Sequence, residues 1–159
     1  MTELLSIAPT LAAPVPDWET KQAEHERRDA ELRPVNKQAV FDALAAAGIT
    51  IVAVAFDGYG DSGQIENVEA KADEDLVALP SGEVEIASAV WDEAEAERSV
   101  MTVHEAIERL VFDFLGMTHD GWENSDGAYG DFTFDVGERT ITLDYNERYM
   151  QSEYSQHVF

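Results

Sequence analysis

The hydrophobic and polar positions of the chain predict two β-hairpins. Residues 50–56 are rich in β-branched side chains and apolar on both faces, which is typical of a central strand covered on both sides. A turn cluster at 57–63 and a polar run at 64–70 predict that the chain returns as an antiparallel strand. Apolar and polar residues alternate at 132–136 and again at 141–145, so these runs predict a second hairpin with one buried face.

The strongest helical pattern begins after Thr102. Thr102 and Glu105 have the spacing of a capping box, and the apolar residues that follow fall on one helical face as far as Gly116. Residues 83–91 predict a further strand, although their Glu and Ala residues also favour a helix, and the acidic run 92–99 predicts a linker.

Two helices are predicted before the first strand. The run 18–32, which follows the capping residue Asp17, is rich in helix formers and in charges of both signs, so it predicts a solvent-facing helix. Pro34 suits a first helical turn, and a second helix is predicted from there to Ala47, before Gly48.

This order of elements lacks the regular alternation of strands and helices in a doubly wound parallel sheet. It predicts an α+β fold, with an antiparallel sheet of four to five strands, helices packed on one face, and a charged N-terminal helix before it. The predicted domains are a flexible arm at 1–16, the charged helix at 17–33, and a single α+β domain at 34–159. The aromatic residues of 149–159 predict that this segment docks on the domain.

The chain is strongly acidic. Thirty-three Asp and Glu residues against ten Lys and Arg residues give a net charge of −23, and residues 38–159 hold twenty-six of the acids but only five of the bases. This balance opposes direct binding to nucleic acid or to anionic membranes, because both need clustered Lys and Arg. A partner selected by charge is therefore expected to be a basic protein. The other interpretation is that the acidity serves only solubility.

Cysteine usage and hydropathy indicate the compartment. The chain has no cysteine, which excludes disulfides, thiolate metal ligands and a Cys nucleophile and fits a reducing compartment. No apolar run approaches the length of about 18 residues that spans a bilayer, and the first residues lack the pattern of a secretory signal. A cytoplasmic location without membrane association is expected, and no cofactor is predicted.

The first candidate binding site lies in and around the turn of the first hairpin. Its polar residues are Asp57, Tyr59, Asp61, Ser62, Gln64 and Glu66. Residues 60–63, Gly-Asp-Ser-Gly, match the segment around the nucleophile of chymotrypsin-like proteases, but the chain is too short for that scaffold and its only upstream histidine, His25, lies in the charged helix. The carboxylates are hard ligands of the kind that Ca²⁺ or Mg²⁺ prefers, although their spacing is not that of an EF-hand. Turn formation alone is the other interpretation.

The second candidate binding site lies in the Gly-rich loop before the second hairpin. Its residues are His119, Trp122, Glu123, Asp126, Tyr129 and Asp131. Loop aromatics beside carboxylates often form a recognition surface, because the rings provide contact area and the acids pair with Arg or Lys. The sequence is equally compatible with Trp122 filling the core and with 124–127 only shaping a turn. No second histidine stands at a zinc spacing from His119, which disfavours a His-based metal site.

Two motifs, Gly60-Asp-Ser-Gly-Gln-Ile-Glu66 and 121–130, are followed by Phe-Thr-Phe-Asp-Val at 132–136 and Asp-Tyr-Asn-Glu-Arg-Tyr at 144–149. Together they resemble a family of uncharacterised bacterial proteins often carried on plasmids and other mobile elements. The resemblance covers roughly residues 35–159. It implies a bacterial origin and a mobile-element context, and it carries over no catalytic residue.

The leading hypothesis is a non-enzymatic binding protein whose acidic surface and two loops engage a basic partner. Closely spaced carboxylates can reproduce the potential of phosphates, which makes a nucleic-acid-binding protein the expected class of partner. The alternative is a divalent-cation-binding domain or a hydrolase that uses the carboxylates and His119 around one cleft. That alternative requires the two loops to converge at one end of the sheet.

Overall fold

The computed structural model describes residues 17–124 and 126–159, and the predicted arm at 1–16 lies outside them. The described chain forms two helices and seven strands. In chain order they are α1 (Asp17–Ala46), β1 (Ile51–Tyr59), β2 (Ser62–Ala72), β3 (Asp75–Val77), β4 (Glu83–Ser88), β5 (Glu97–Thr102), α2 (Val103–Thr118), β6 (Ala128–Asp135) and β7 (Thr140–Glu147).

Five strands form an antiparallel sheet in the order β3-β2-β1-β6-β7, and β4 and β5 form a second sheet of two strands. Both predicted hairpins are present, since β1 pairs with β2 and β6 pairs with β7, while β1 and β6 pair at the centre of the sheet. The predicted α+β class is confirmed. The sequence pattern missed β3 and β5, because most of their side chains are exposed and supply no buried alternation.

One face of the five-stranded sheet is covered by helices. Val54 and its β6 partner Phe132 are each at most 1% exposed and lie on this face. The buried side chains of α2 and of the second half of α1 belong to the same core cluster. Helix α2 begins as predicted, because the Thr102 hydroxyl accepts a 3.1 Å hydrogen bond from the Glu105 backbone N–H.

On the opposite face of the sheet, the side chains of β1 are exposed or half-buried. Ile51 is 38% exposed, and Ala53 and Ala55 are half-buried. The prediction that the first strand is covered on both sides is therefore wrong. Its outer face is apolar because small alanines alternate with the core residues, and such side chains need no covering layer. We call this surface the open face.

Helix α1 is continuous from Asp17 to Ala46 and contains Pro34, so the predicted second helix does not begin there. A proline inside a helix removes one backbone hydrogen bond and clashes with the preceding turn, at a cost of about 3 kcal/mol. Packing and ion pairs on either side offset that cost. The charged half contains pairs such as Arg27 with Glu31 at 2.6 Å, and the other half buries three apolar side chains. The helix stops before Gly48, which has a φ of 77° as a helix-ending glycine should.

The chain divides into two compact units. The described part of the first comprises residues 17–35 and 87–98, and the second comprises 36–86 and 99–159. Within the first unit the rings of His25 and Trp91 lie 5.6 Å apart. The second unit contains the five-stranded sheet, α2 and both candidate loops. In the described residues, neither helix combines the length and the apolarity needed to cross a membrane.

Candidate functional site

The two candidate loops meet at one end of the five-stranded sheet. Strands β1 and β6 remain paired as far as Gly58, which lies opposite Ala128. Beyond that point the backbone N–H of Asp61 donates a 3.0 Å hydrogen bond to the carbonyl oxygen of Glu123. The convergence on which a shared site depends is therefore present.

The turn of the first hairpin is shorter than predicted. Strand β1 continues through Tyr59 and β2 starts at Ser62, which leaves Gly60 and Asp61 as the turn. Their φ angles are 59° and 68°, as in two-residue hairpin turns of type I′. Asp57 and Tyr59, expected in a loop, are thus strand residues that point to the open face.

Trp122 fills the space beneath this hairpin. Its side chain is 9% exposed, and its ring meets the Phe56 ring edge-on with 5.4 Å between the centroids. A Cβ added at Gly58 or Gly63 would lie 2.5 Å from the Trp122 ring, so both glycines are required by close packing. The sequence left two roles open for Trp122, contact with a partner and filling of the core. Its buried position is that of a core residue.

Arg148 contacts residues of both hairpins on the side of the open face. Its guanidinium Nη1 donates a 2.8 Å hydrogen bond to Asp57 Oδ1, and its Cζ lies 4.6 Å from the centroid of the Tyr129 ring. The hydrogen bond to Asp57 raises the pKa of Arg148 above its ordinary value, so the guanidinium stays charged. Its backbone N–H donates to the Gly127 carbonyl oxygen at 2.9 Å. Arg148 therefore ties the end of β7 to both loops.

Sequence reasoning missed Arg148 as a site residue. A usable signal existed, because it is one of only five bases in residues 38–159 and stands beside Tyr149 directly after a strand. Its partner Asp57 is 91 residues away in the sequence, and their proximity follows from the pairing of β1 with β6 and of β6 with β7.

An open depression of about 610 Å³ lies around this ion pair. It is lined by Asp57, Tyr59, Asp126, Arg148, Tyr149 and Met150. Asp57 is engaged by Arg148, whereas no described residue forms an ion pair or a hydrogen bond with the Asp126 carboxylate. Tyr59 lies at the edge of this depression and is 70% exposed. We call this the tyrosine depression.

A smaller hollow of about 260 Å³ adjoins it, lined by Asp57, Tyr59, Gly60, Ser62, Gln64 and Glu66. Glu66 is an extra residue in β2, because Ala55 pairs with Asn67 while the next residue along β1 pairs with Ile65. Such a β-bulge redirects side chains locally. Gln64 Nε2 donates a 2.7 Å hydrogen bond to Glu66 Oε1, so two predicted site residues form one polar rim.

His119 does not line the tyrosine depression. Its ring stacks on Tyr145 with 3.6 Å between the centroids, and its Nδ1 lies 2.9 Å from Thr118 Oγ1. Burial raises the pKa of Tyr145 above its ordinary value, and the negative charges of Glu147 and Glu123 raise it further. His119 thus belongs to a packed cluster at the base of the loop.

Asp131 also lies outside the tyrosine depression, on the open face. It is paired across the strands with Asp144, and both side chains are exposed. Two like charges directly opposite each other destabilise an antiparallel pair. The sequence pattern named Asp131 but missed Asp144, although both occupy solvent-facing positions of the alternating strands.

The predicted carboxylates do not form a metal cage. Across residues 17–124 and 126–159, no three His, Asp or Glu side chains are grouped so that they could hold one ion. Asp57 is engaged by Arg148, and Asp61 occupies the turn.

Fold and site together define an α+β protein with a depression lined by tyrosines and carboxylates at one end of an antiparallel sheet. The chain belongs to DUF6878, a family of unknown function, whose model matches residues 32–159. This match includes every residue of the tyrosine depression. No curated protein and no solved structure matches the chain.

Proposed function

We propose that this protein is a non-enzymatic binding protein that engages a basic protein through its two convergent loops and the open face. The observation that carries the proposal is the hydrogen bond between Asp61 and Glu123, which joins the loops into one surface. Carboxylates and exposed tyrosines then share that surface. Aromatic rings and acids side by side are suited to contacts with Arg and Lys side chains.

The charge balance supports a basic partner. Of the five bases in residues 38–159, at least three form ion pairs with acids of the same chain. They are Arg109 with Asp113, Arg139 with Asp42, and Arg148 with Asp57. The unneutralised carboxylates therefore dominate the field, which attracts basic surfaces over a distance of about 10 Å at moderate salt.

A nucleic-acid-binding protein is the class of basic partner that we propose, with the open face imitating phosphates. Glu69, Asp131 and Asp144 lie on this face, on strands β2, β6 and β7. Asp131 and Asp144 lie opposite each other on neighbouring strands, which are about 4.8 Å apart, so these two carboxylates concentrate negative charge on the face. A basic groove that accepts a nucleic-acid backbone can accept such a surface.

The setting that we propose is the bacterial cytoplasm, where the protein would act as an accessory factor of a plasmid or another mobile element. The resemblance of 60–66 and 121–130 to proteins carried on such elements supports this setting. The absence of cysteine fits a reducing compartment.

The test is affinity capture from a bacterial lysate at low and at moderate salt, read by mass spectrometry, with two matched variants. The site variant carries Asp61→Asn, Glu123→Gln and Asp126→Asn. The control carries Glu74→Gln, Glu83→Gln and Glu138→Gln, three exposed acids away from the loops, so that both variants lose the same net charge.

We expect the unaltered protein and the control to retain the same nucleic-acid-binding protein at low salt, and the site variant to lose it. Purified DNA that carries the captured protein's site should compete for it. Equal capture by both variants would contradict the proposal. Single neutralisations should weaken binding gradually, whereas complete loss on one change would indicate the alternative, a metal or catalytic site.

A further inference from the structure

The walls of the tyrosine depression are mainly aromatic and apolar. Tyr59, Tyr149 and Met150 are 70%, 80% and 80% exposed, and all three line the same concavity. Methionine adapts its shape to different ligands, and tyrosine provides a broad face at a low entropic cost. Clustered in this way, the three side chains form a surface suited to a flat or elongated group.

The charge of the tyrosine depression selects a cation. Asp57 and Arg148 neutralise each other across 2.8 Å, and the Arg148 guanidinium is further occupied by the Tyr129 ring. Among the described lining residues, this leaves the Asp126 carboxylate as the group without a partner of opposite charge. A bound anion would meet uncompensated negative charge, whereas a bound cation would pair with it.

Arg148 is an internal example of how this end of the sheet holds a guanidinium. It combines a carboxylate at 2.8 Å with the face of a tyrosine at 4.6 Å. Asp126 and Tyr59 bring the same two chemical groups to the neighbouring part of the depression. A guanidinium is planar, stacks on aromatic rings and is more weakly hydrated than an ammonium group, so such a site prefers arginine to lysine.

We propose that the tyrosine depression receives one arginine side chain of the basic partner, with Asp126 as its counter-ion and Tyr59 and Tyr149 as its stacking faces. This inference rests on the proposed function, and it adds a specific anchor to the diffuse attraction of the acidic surface. Such an anchor would explain why tyrosines, and not only carboxylates, surround the depression. One buried arginine in an otherwise polar contact is a common source of binding energy.

The test uses the full chain and three small probes, the N-acetyl methylamides of arginine, lysine and citrulline, in an NMR titration of backbone amides. The arginine probe should shift amides at Tyr59, Asp126 and Tyr149 and bind more tightly than the lysine probe, and the neutral citrulline probe should cause no such shifts. Asp126→Asn and Tyr59→Ala should each weaken the arginine probe about fivefold to tenfold. Glu69→Gln, an exposed acid on the open face that does not line the depression, is the matched control.

The outcomes separate this inference from the proposed function. Shifts spread over the whole acidic surface, with equal effects of Asp126→Asn and Glu69→Gln, would overturn the arginine site and leave the binding of a basic partner standing. If the arginine probe binds locally but the lysate capture retains no basic protein, the site stands and the proposed partner falls. If neither occurs, both are wrong. Circular dichroism checks that the variants, altered at exposed positions, remain folded.

Discussion

The ring of Trp122 lies where Gly63 would carry a side chain. A Cβ built on Gly63 would be 2.5 Å from Trp122 Cη2, a separation that real Cβ atoms essentially never show. The same ring crowds Gly58 on the neighbouring strand. The tip of the first hairpin and the loop that carries Glu123 and Asp126 therefore pack as one unit, and the geometry of the tyrosine depression depends on that packing.

Gly63→Ala should consequently destabilise the protein. The added methyl group must displace the Trp122 ring or the strand, and overpacking of this kind costs about 1–3 kcal/mol. The measurement is the free energy of unfolding from urea titration followed by Trp fluorescence. Gly82→Ala is the control, because nothing lies within 4 Å of a Cβ at that position and its unfolding midpoint should not fall. Equal midpoints for the two variants would contradict the close packing of Trp122 against Gly63.

Much of the fold was predictable because periodicity and capping are local. The capping role of Thr102, the apolar face of α2 and the alternation in β6 and β7 each depend on neighbouring residues alone. The continuation of α1 through Pro34 was not predictable in this way, since it depends on the packing of distant residues against its second half. Tertiary contacts there outweigh a strong local signal.

The candidate site was predictable as a set of residues but not as an arrangement. Asp57, Tyr59 and Asp126 were identified from their polar and aromatic character, and the structure brings them together. Arg148 was missed, because its role comes from an ion pair between residues 91 apart in the chain. Glycine is typical of loops, so Gly58 was predicted to lie in the turn. It lies instead within strand β1, where its lack of a side chain makes room for the Trp122 ring.

Tyr145 should ionise at a pH above its ordinary pKa of 10.0, chiefly because burial disfavours the charged tyrosinate. The raised pKa favours the folded state while the ring is neutral. That contribution is present below the unfolded pKa near 10 and is lost as the pH rises through the folded value. The measurement is an ultraviolet absorbance titration of the protein and of Tyr145→Phe, whose difference isolates this residue. Tyr154→Phe, which removes an exposed ring, is the control for the subtraction. A midpoint for Tyr145 at or below 10.0 would contradict the prediction.

Pro34→Ala should stabilise α1. Alanine restores a backbone N–H in the helix interior and removes the ring that clashes with the preceding turn. The gain is reduced by the greater freedom of the unfolded chain without proline, which leaves a net stabilisation of about 1–3 kcal/mol. The measurements are the thermal midpoint by circular dichroism and hydrogen exchange of the amides around position 34. Gln38→Ala, at an exposed position of the same helix, is the control and should change both by much less. No gain from Pro34→Ala would mean that the helix accommodates the proline without strain.

Asp144→Asn should raise stability and lower affinity for a basic partner at the same time. Asp144 lies directly opposite Asp131 on the open face, and removing one of two opposed like charges should stabilise the β6 and β7 pair by about 0.2–1 kcal/mol. The gain should shrink at high salt, because both side chains are exposed and their repulsion is screened. Urea unfolding at two salt concentrations measures it.

The same variant should bind an arginine-rich peptide more weakly than the unaltered protein at low salt. Glu69→Gln is the matched control, since its cross-strand neighbour in β1 is Ala53 and its neutralisation relieves no opposed pair. It should weaken binding without the gain in stability. If Asp144→Asn stabilises the protein and leaves peptide affinity unchanged, the acidity of the open face serves solubility alone. If affinity falls while stability rises, the repulsion between Asp131 and Asp144 is a cost of the charge density that the partner recognises.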